Sequence, residues 1–199
     1  MNWIDKDDRL FFMIFPKEIA EQIESDAIGV IPTDTIYGVA ASACSKKAVE
    51  RAYDALERSP KKPFIILISS LKDLSLFGLT IDSQIEKMLD TMWPGKISIV
   101  LPVLSEKLIY LHRGKKTLAF RVPKKPSLIK LLKKTGPLIS TSANPEGAKP
   151  AETIAEARKY FRDRIDFYVA GGKIKSLPST LIEIKRGKVR VLRKGIVKI

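Results

Sequence analysis

The chain predicts one mixed α/β domain, on three observations. Apolar residues recur at helical and then at strand spacing along most of the chain, which finishes in strand-like runs. The run Phe64-Ile-Ile-Leu-Ile-Ser69 is apolar on both parities, as suits a strand buried on both faces in the middle of a sheet. Two apolar runs, Ile28–Pro32 and Leu138-Ile139, pass directly into hydroxyl side chains and turn residues. In open α/β sheets such carboxyl ends of strands are where ligands sit. At 199 residues the chain is long enough to bury a real core as one domain, 1–199.

Taken in order, Ile19, Ala20 and Ile23 predict a helix over 17–26, and Ile28-Gly-Val-Ile-Pro32 a strand halted by proline. Thr33-Asp34-Thr35 and Tyr37-Gly38 then read as hydroxyls and a turn, with Asp34 open to two roles, metal ligand or turn cap. Ser45 is placed to cap a helix through 46–58, with Val49, Ala52, Tyr53 and Leu56 on one face. Arg58-Ser-Pro-Lys-Lys-Pro63 is a rigid basic loop at the mouth of the 64–69 strand, a candidate anion site. Ile85, Met88, Leu89 and Met92 mark the next helix, closed by Trp93-Pro94-Gly95, with Trp93 read as core or pocket wall. Ile97–Val103 is a strand, 104–116 a polar loop, and Thr117–Pro123 a strand carrying Thr117, Ala119 and Arg121 on one face. An arginine inside a strand is rarely buried without a partner, so Arg121 is a candidate for gripping a carboxylate or phosphate.

Leu128, Ile129, Leu131 and Leu132 make a helix stopped by Gly136-Pro137. The stretch Pro137–Gly147 follows: Leu138-Ile139 as a short strand step, then Ser140, Thr141 and Ser142, then the breakers Asn144, Pro145 and Gly147. Residues 152–162 read as a helix and Asp166–Ala170 as a strand ended by Gly171-Gly172. Leu181–Ile184 and Val189–Leu192 form a hairpin about a turn at Lys185-Arg-Gly187.

Composition narrows the chemistry. The formal charge of +14 points to a polyanionic partner, RNA or a phosphate-rich substrate, although the lysines are scattered and no basic arm is interleaved with aromatics. A single histidine, His112, in a segment that reads as exposed loop, and a single cysteine, Cys44, exclude His-rich and thiolate metal sites. The lone cysteine suits a reducing, cytoplasmic setting; no apolar run reaches membrane-span length, and Met1–Asp8 does not read as a signal peptide. Neither Gly-x-Gly-x-x-Gly nor a P-loop pattern occurs, so catalysis is expected through hydroxyls, arginines, lysines and backbone amides.

Seven motifs in order, Pro32-Thr-Asp-Thr-Ile-Tyr-Gly38, Trp93-Pro94-Gly95, Arg121-Val-Pro123, Ser140-Thr-Ser-Ala-Asn144, Gly171-Gly172, Ser179-Thr180 and Arg193-Lys-Gly195, resemble the YrdC-like family over about residues 12–195. The resemblance implies a single-domain, twisted open mixed sheet with flanking helices and a concave positive face. It implies synthesis of threonylcarbamoyl-AMP and pyrophosphate from L-threonine, bicarbonate and ATP, with magnesium accompanying the ATP. Partner proteins would then transfer the threonylcarbamoyl group to the tRNA adenosine beside the anticodon. Carried over by position, Thr33, Arg121, Ser140 and Ser179 line the threonine site. Arg58, Thr117, Ser142, Asn144, Ala151 (by its backbone) and Arg193 line the nucleotide site, with Arg58, Ser142 and Asn144 as the catalytic set; Lys62 of the basic loop is added to the nucleotide site on the chain's own chemistry.

Two positions depart from the family. A lysine expected to touch ATP is replaced by Leu56, and a histidine by Leu67. Either Leu56 has become only a core residue and phosphate binding there is lost, or Lys61 or Lys62 reaches in to supply the charge; the second is favoured because Arg58, Ser142 and Asn144 remain. The chain stops near the end of the family's core domain, so the further C-terminal domain of longer relatives is expected to be absent. The competing functions are an RNA-binding protein with little synthase activity, making weak tRNA or double-stranded RNA contacts, and a carbamoyl-transfer relative. The zinc and acylphosphatase segments of the latter's larger proteins are missing here.

Overall fold

The computed structural model describes residues 15–185 and 188–199. Residues 12–14 of the expected core, the Met1–Asp8 segment, and Arg186 and Gly187 of the expected last turn lie outside the described residues. The described elements, in chain order, are α1 (Lys17–Glu24), β1 (Gly29–Pro32), β2 (Tyr37–Ser42), α2 (Lys46–Ala55), β3 (Ile65–Leu67), α3 (Ser83–Met92), β4 (Ile97–Pro102) and α4 (Ile109–His112). Then follow β5 (Thr117–Arg121), α5 (Pro126–Thr135), β6 (Leu138–Ser142), α6 (Ile154–Phe161), β7 (Phe167–Tyr168), β8 (Thr180–Lys185) and β9 (Lys188–Arg193).

Local chemistry accounts for the helix starts. Ser45 Oγ accepts the Ala48 N–H, Asp82 accepts those of Gln84 and Ile85, and Thr153 accepts that of Glu156. Each satisfies donors that a first helical turn leaves unpaired. Pro126 opens α5 and Gly136, at positive φ, follows its end.

The strands form one mixed sheet in the order β7-β1-β2-β6-β3-β5-β4-β8-β9. The apolar β3 lies at its centre, parallel to β5 and antiparallel to β6. One face is covered from β1 to β4. Val30, Val39, Ile66, Ile139, Phe120 and Ile99 pack there beneath α2, α3, α4 and α6, through side chains such as Val49, Leu89, Leu111 and Phe161. The opposite face is covered only on its β1–β2 side, where Ile19 and Ile23 of α1 and Leu128 and Leu131 of α5 pack on Ile31, Ala40, Leu67 and Leu138. Across that face, one row of paired residues runs Ala40, Ser140, Ile65, Ala119, Val100. Ala40 and Ser140 are buried, whereas Ile65, Ala119 and Val100 are only half-buried. The half without helices is the open face.

Four local readings need correction. Tyr37-Gly38 is not a turn but the start of β2, an added strand between β1 and β6; Val39, Ala40 and Ala41 are buried on both parities, so the run carries no alternation. β6 does not stop at Ile139 but continues through Ser142, because β2 and β3 pair with it on both sides and use its backbone groups. Segment 104–116 contains a 3-10 turn and α4, and His112 is buried rather than exposed: its Nδ1 accepts the Gly114 N–H, leaving Nε2 to donate to the Ser105 carbonyl. The helix placed at 46–58 ends at Ala55, where Glu57 turns to positive φ. No described helix is long and apolar enough to cross a membrane.

Candidate active site

The open face brings the predicted residues together through strand register. Gly38 pairs with Ser142 and Ala40 with Ser140 across β2 and β6, while Leu67 pairs with Arg121 across β3 and β5. Side-chain alternation therefore places Ser140, Ser142, Thr117 and Arg121 on one face, as β5 was expected to present its own. Gly38 matters sterically here. A Cβ at that position would lie 2.9 Å from Ser140 Oγ, so only glycine leaves room for this hydroxyl above β2.

Three guanidinium groups stand at the site, Arg121 and Arg193 on the open face and Arg58 at its edge beyond the end of β6. Arg121 is 4% exposed, with Nη1 3.1 Å from Asp34 Oδ1 and 3.5 Å from Thr35 Oγ1. Arg193 donates through Nη2 to the Ser179 carbonyl at 2.9 Å and to its hydroxyl at 3.3 Å. Arg58 donates to the carbonyls of Lys62 and Pro63 and stacks over the Phe64 ring. Burial lowers the proton affinity of all three; Arg193 lowers that of Arg121 further, and Arg58 that of Arg193. They form a row of cations close enough to repel one another, and an anion placed among them offsets both the desolvation and the repulsion.

The tail holds this row. Ile196 N–H donates to the Pro178 carbonyl at 3.0 Å, and Thr180 Oγ1 both donates to the Val197 carbonyl and accepts its N–H. A Cβ on Gly195 would lie 2.4 Å from the Pro178 oxygen. Ser179-Thr180 and Arg193-Lys-Gly195 are thus two halves of one clasp, which also sets Ser179 Oγ 2.8 Å from Ser98 Oγ. Ser98 escaped the sequence reading; a lone hydroxyl inside the apolar run of β4 was its signal.

At the end of β6 lies a small pocket of about 20 Å3 lined by Leu56, Arg58, Thr141, Ser142, Asn144 and Glu146. Asn144 donates through Nδ2 to the carbonyls of Pro145 and Ala148, and its buried Oδ1 has no partner among the described residues. That orphan acceptor suits a ligand N–H or O–H. Glu146, which nothing in the sequence singled out, ion-pairs with Lys62 and accepts the Ser59 N–H, tying the basic loop to the loop after β6. Lys62 and the Ser59 amide hold its carboxyl below the usual range. Lys62 therefore stands at this pocket, whereas Lys61 lines a separate groove with Lys46, Glu50 and Tyr110.

Two predicted residues are tied into the surrounding loops. The Thr33 hydroxyl donates to the Ile36 carbonyl at 2.6 Å and accepts the N–H groups of Thr35 and Ile36. It is committed to its turn, and the Thr33 methyl is the group that lies over Gly38 toward Ser140. The Ala151 N–H donates to the Ala143 carbonyl, so its own carbonyl is what it offers a ligand. Asp34 plays neither role weighed for it: Oδ2 accepts the Lys124 N–H at 3.0 Å while Oδ1 faces Arg121. Tyr37 OH donates to the Gly172 carbonyl and accepts the Gly171 N–H, joining two more of the motifs. Trp93 is 6% exposed and belongs to the core.

A family model named for Sua5, YciO and YrdC, and described as "Telomere recombination", matches residues 21–195. The threonylcarbamoyl-AMP synthase of Marinobacter nauticus is 33% identical over 167 residues, 80% of this chain and 87% of its own. Sua5 of Pyrococcus abyssi, solved in complex with L-threonine, superposes with a TM-score of 0.82 at 29% identity, over 89% of this chain. This chain spans only 53% of that longer protein. YciO of E. coli, 23% identical with a TM-score of 0.79, shares the fold over 91% of this chain and 89% of its own.

Proposed function

The chain belongs to the Sua5/YciO/YrdC family, and from that premise we propose that it is a threonylcarbamoyl-AMP synthase acting on L-threonine, bicarbonate and ATP. The observation that carries this reading is the gathering of Arg121, Arg193 and Arg58 about the sheet face and strand end that carry the hydroxyls of Ser140, Ser142 and Thr117. It offers paired anion grips for a carboxylate at one end and a triphosphate at the other.

In the proposed sequence the threonine amine condenses with bicarbonate, releasing water, and the resulting carbamate oxygen attacks the α-phosphorus, expelling pyrophosphate. The chain's own part is positioning and charge neutralisation. Arg121 holds the amino-acid carboxylate, with Ser140, Ser179 and the Thr33 methyl around the side chain. Arg58, Lys62 and Arg193 face the phosphates, and Ser142, Asn144, Thr117 and the Ala151 carbonyl orient the nucleotide. Magnesium enters as part of the ATP substrate. The two carboxylates at the site, Asp34 and Glu146, are engaged by Arg121 and Lys62, so these residues do not form a resident metal site and no step is assigned to one. Transfer of the product to tRNA belongs to partner proteins.

Incubation with threonine, labelled bicarbonate, ATP and magnesium is expected to release pyrophosphate and labelled threonylcarbamoyl-AMP. Absence of product at high enzyme concentration overturns the reading. If salt-sensitive binding to tRNA or duplex RNA persists in that case, unaffected by ATP and threonine, the RNA-binding alternative replaces it.

A further inference from the structure

We propose that Asp34 is a positioning residue that aims Arg121 at the carboxylate of the amino-acid substrate, an inference that rests on the synthase reading. Asp34 arrives from the β1–β2 turn, a loop distant in sequence from β5, and its side chain is 4% exposed, as is that of Arg121. One carboxylate oxygen is fixed by the Lys124 N–H at 3.0 Å and the other stands 3.1 Å from Arg121 Nη1. Thr35 Oγ1 lies at 3.5 Å from the same nitrogen. The guanidinium is therefore held at its Nη1 corner. Its Nε is buried and has no hydrogen-bond partner among the described residues, and neither has Asp34 Oδ1, whose contact with Nη1 is an ion pair.

A guanidinium pairs with a carboxylate through two parallel donors along one edge. With Nη1 engaged, the Nε–Nη2 edge remains, and the orphaned Nε identifies it as the edge reserved for a ligand. A buried donor left unpaired is destabilising, and a ligand carboxylate on this edge would offset that cost. The charge tally agrees. Asp34 is a single carboxylate among Arg121, Lys125, whose Nζ donates to the Pro32 carbonyl, and Arg193, and so does not neutralise the site.

The proposal makes a prediction opposite in sign to simple electrostatics. Removing a negative charge beside Arg121 should tighten binding of an anionic ligand if only charge matters; if Asp34 orients the fork, it should loosen it. Calorimetric titration of the full chain with threonine and, separately, with ATP decides between them. Asp34→Asn is expected to weaken threonine at least tenfold and ATP less than twofold; Asp34→Glu, which keeps the charge but displaces it, should fall between this variant and wild type. Unchanged or tighter threonine binding, or equal losses for both ligands, overturns the assignment. Should Asp34→Asn fail to fold, Asp34→Glu decides by itself: threonine affinity equal to wild type overturns it. A wild-type chain that binds no threonine overturns the synthase reading itself, and this inference with it.

Discussion

Leu56 is 2% exposed beneath the pocket that Arg58, Ser142 and Asn144 also line. It completes the face of Val49, Ala52 and Tyr53 in the main core from the C-cap of α2, as its spacing anticipates. Its position at the pocket also keeps the second account open to test, because Lys62 stands at the same rim through Glu146. Lys62→Ala is expected to reduce synthase activity at least tenfold, and Lys61→Ala, in the other groove, to leave it within twofold. Leu56→Lys in the Lys62→Ala background should recover activity by placing an ammonium at the pocket. The same change should lower thermal stability, since burial of a leucine is worth about 2 kcal/mol and each kcal/mol shifts Tm by roughly 2–4 °C at this chain length. Activity assays with melting curves measure both; full activity in Lys62→Ala rejects the idea and leaves the phosphate charge to Arg58 and Arg193.

At the scale of elements, the clasp between residues 178–180 and the tail decides whether Arg193 reaches the open face. No local pattern announces it. Ser179-Thr180 and Arg193-Lys-Gly195 look like two unrelated turns until β8 and β9 pair and fold the tail back over Pro178. Gly195 is required by close approach, so Gly195→Ala must push the tail away from the Pro178 oxygen. The expected result is at least tenfold weaker ATP binding by calorimetry with the circular dichroism spectrum retained. Threonine should weaken too, because Ser179 loses its Arg193 partner. ATP affinity equal to wild type would show that Arg193 does not need the clasp.

For the whole molecule, one covered face and one half-covered face make a domain whose open surface concentrates charge. A formal charge of +14, with three guanidinium groups at the site, predicts that anionic ligands stabilise the fold. ATP at one hundred times its Kd should contribute about 2.7 kcal/mol, a rise in Tm of roughly 5–10 °C. A scanning melt with ATP, with threonine and with both checks it, the pair being expected to exceed either alone. A melt that ATP leaves unmoved at saturating concentration contradicts the nucleotide assignment.

The alternation of elements, the central place of β3, the cap at Ser45 and the shared face of Thr117, Ala119 and Arg121 were legible in the sequence, because each depends on spacing along a few neighbouring residues. The motif order also sufficed to indicate the family. Strand β2 was hidden because burial on both faces erases its alternation, and His112 was misread because polar neighbours conceal a side chain satisfied by two backbone groups. Which residues of the site are free was decided only by the tertiary structure. Thr33 and the Ala151 N–H are engaged by their own loops, Asp34 is brought across to Arg121, and Glu146 draws Lys62 to the pocket. The Asp34 and Glu146 pairings join residues 84 to 90 positions apart, and chain closure over such distances is set by how the sheet and loops fold together, not by local sequence.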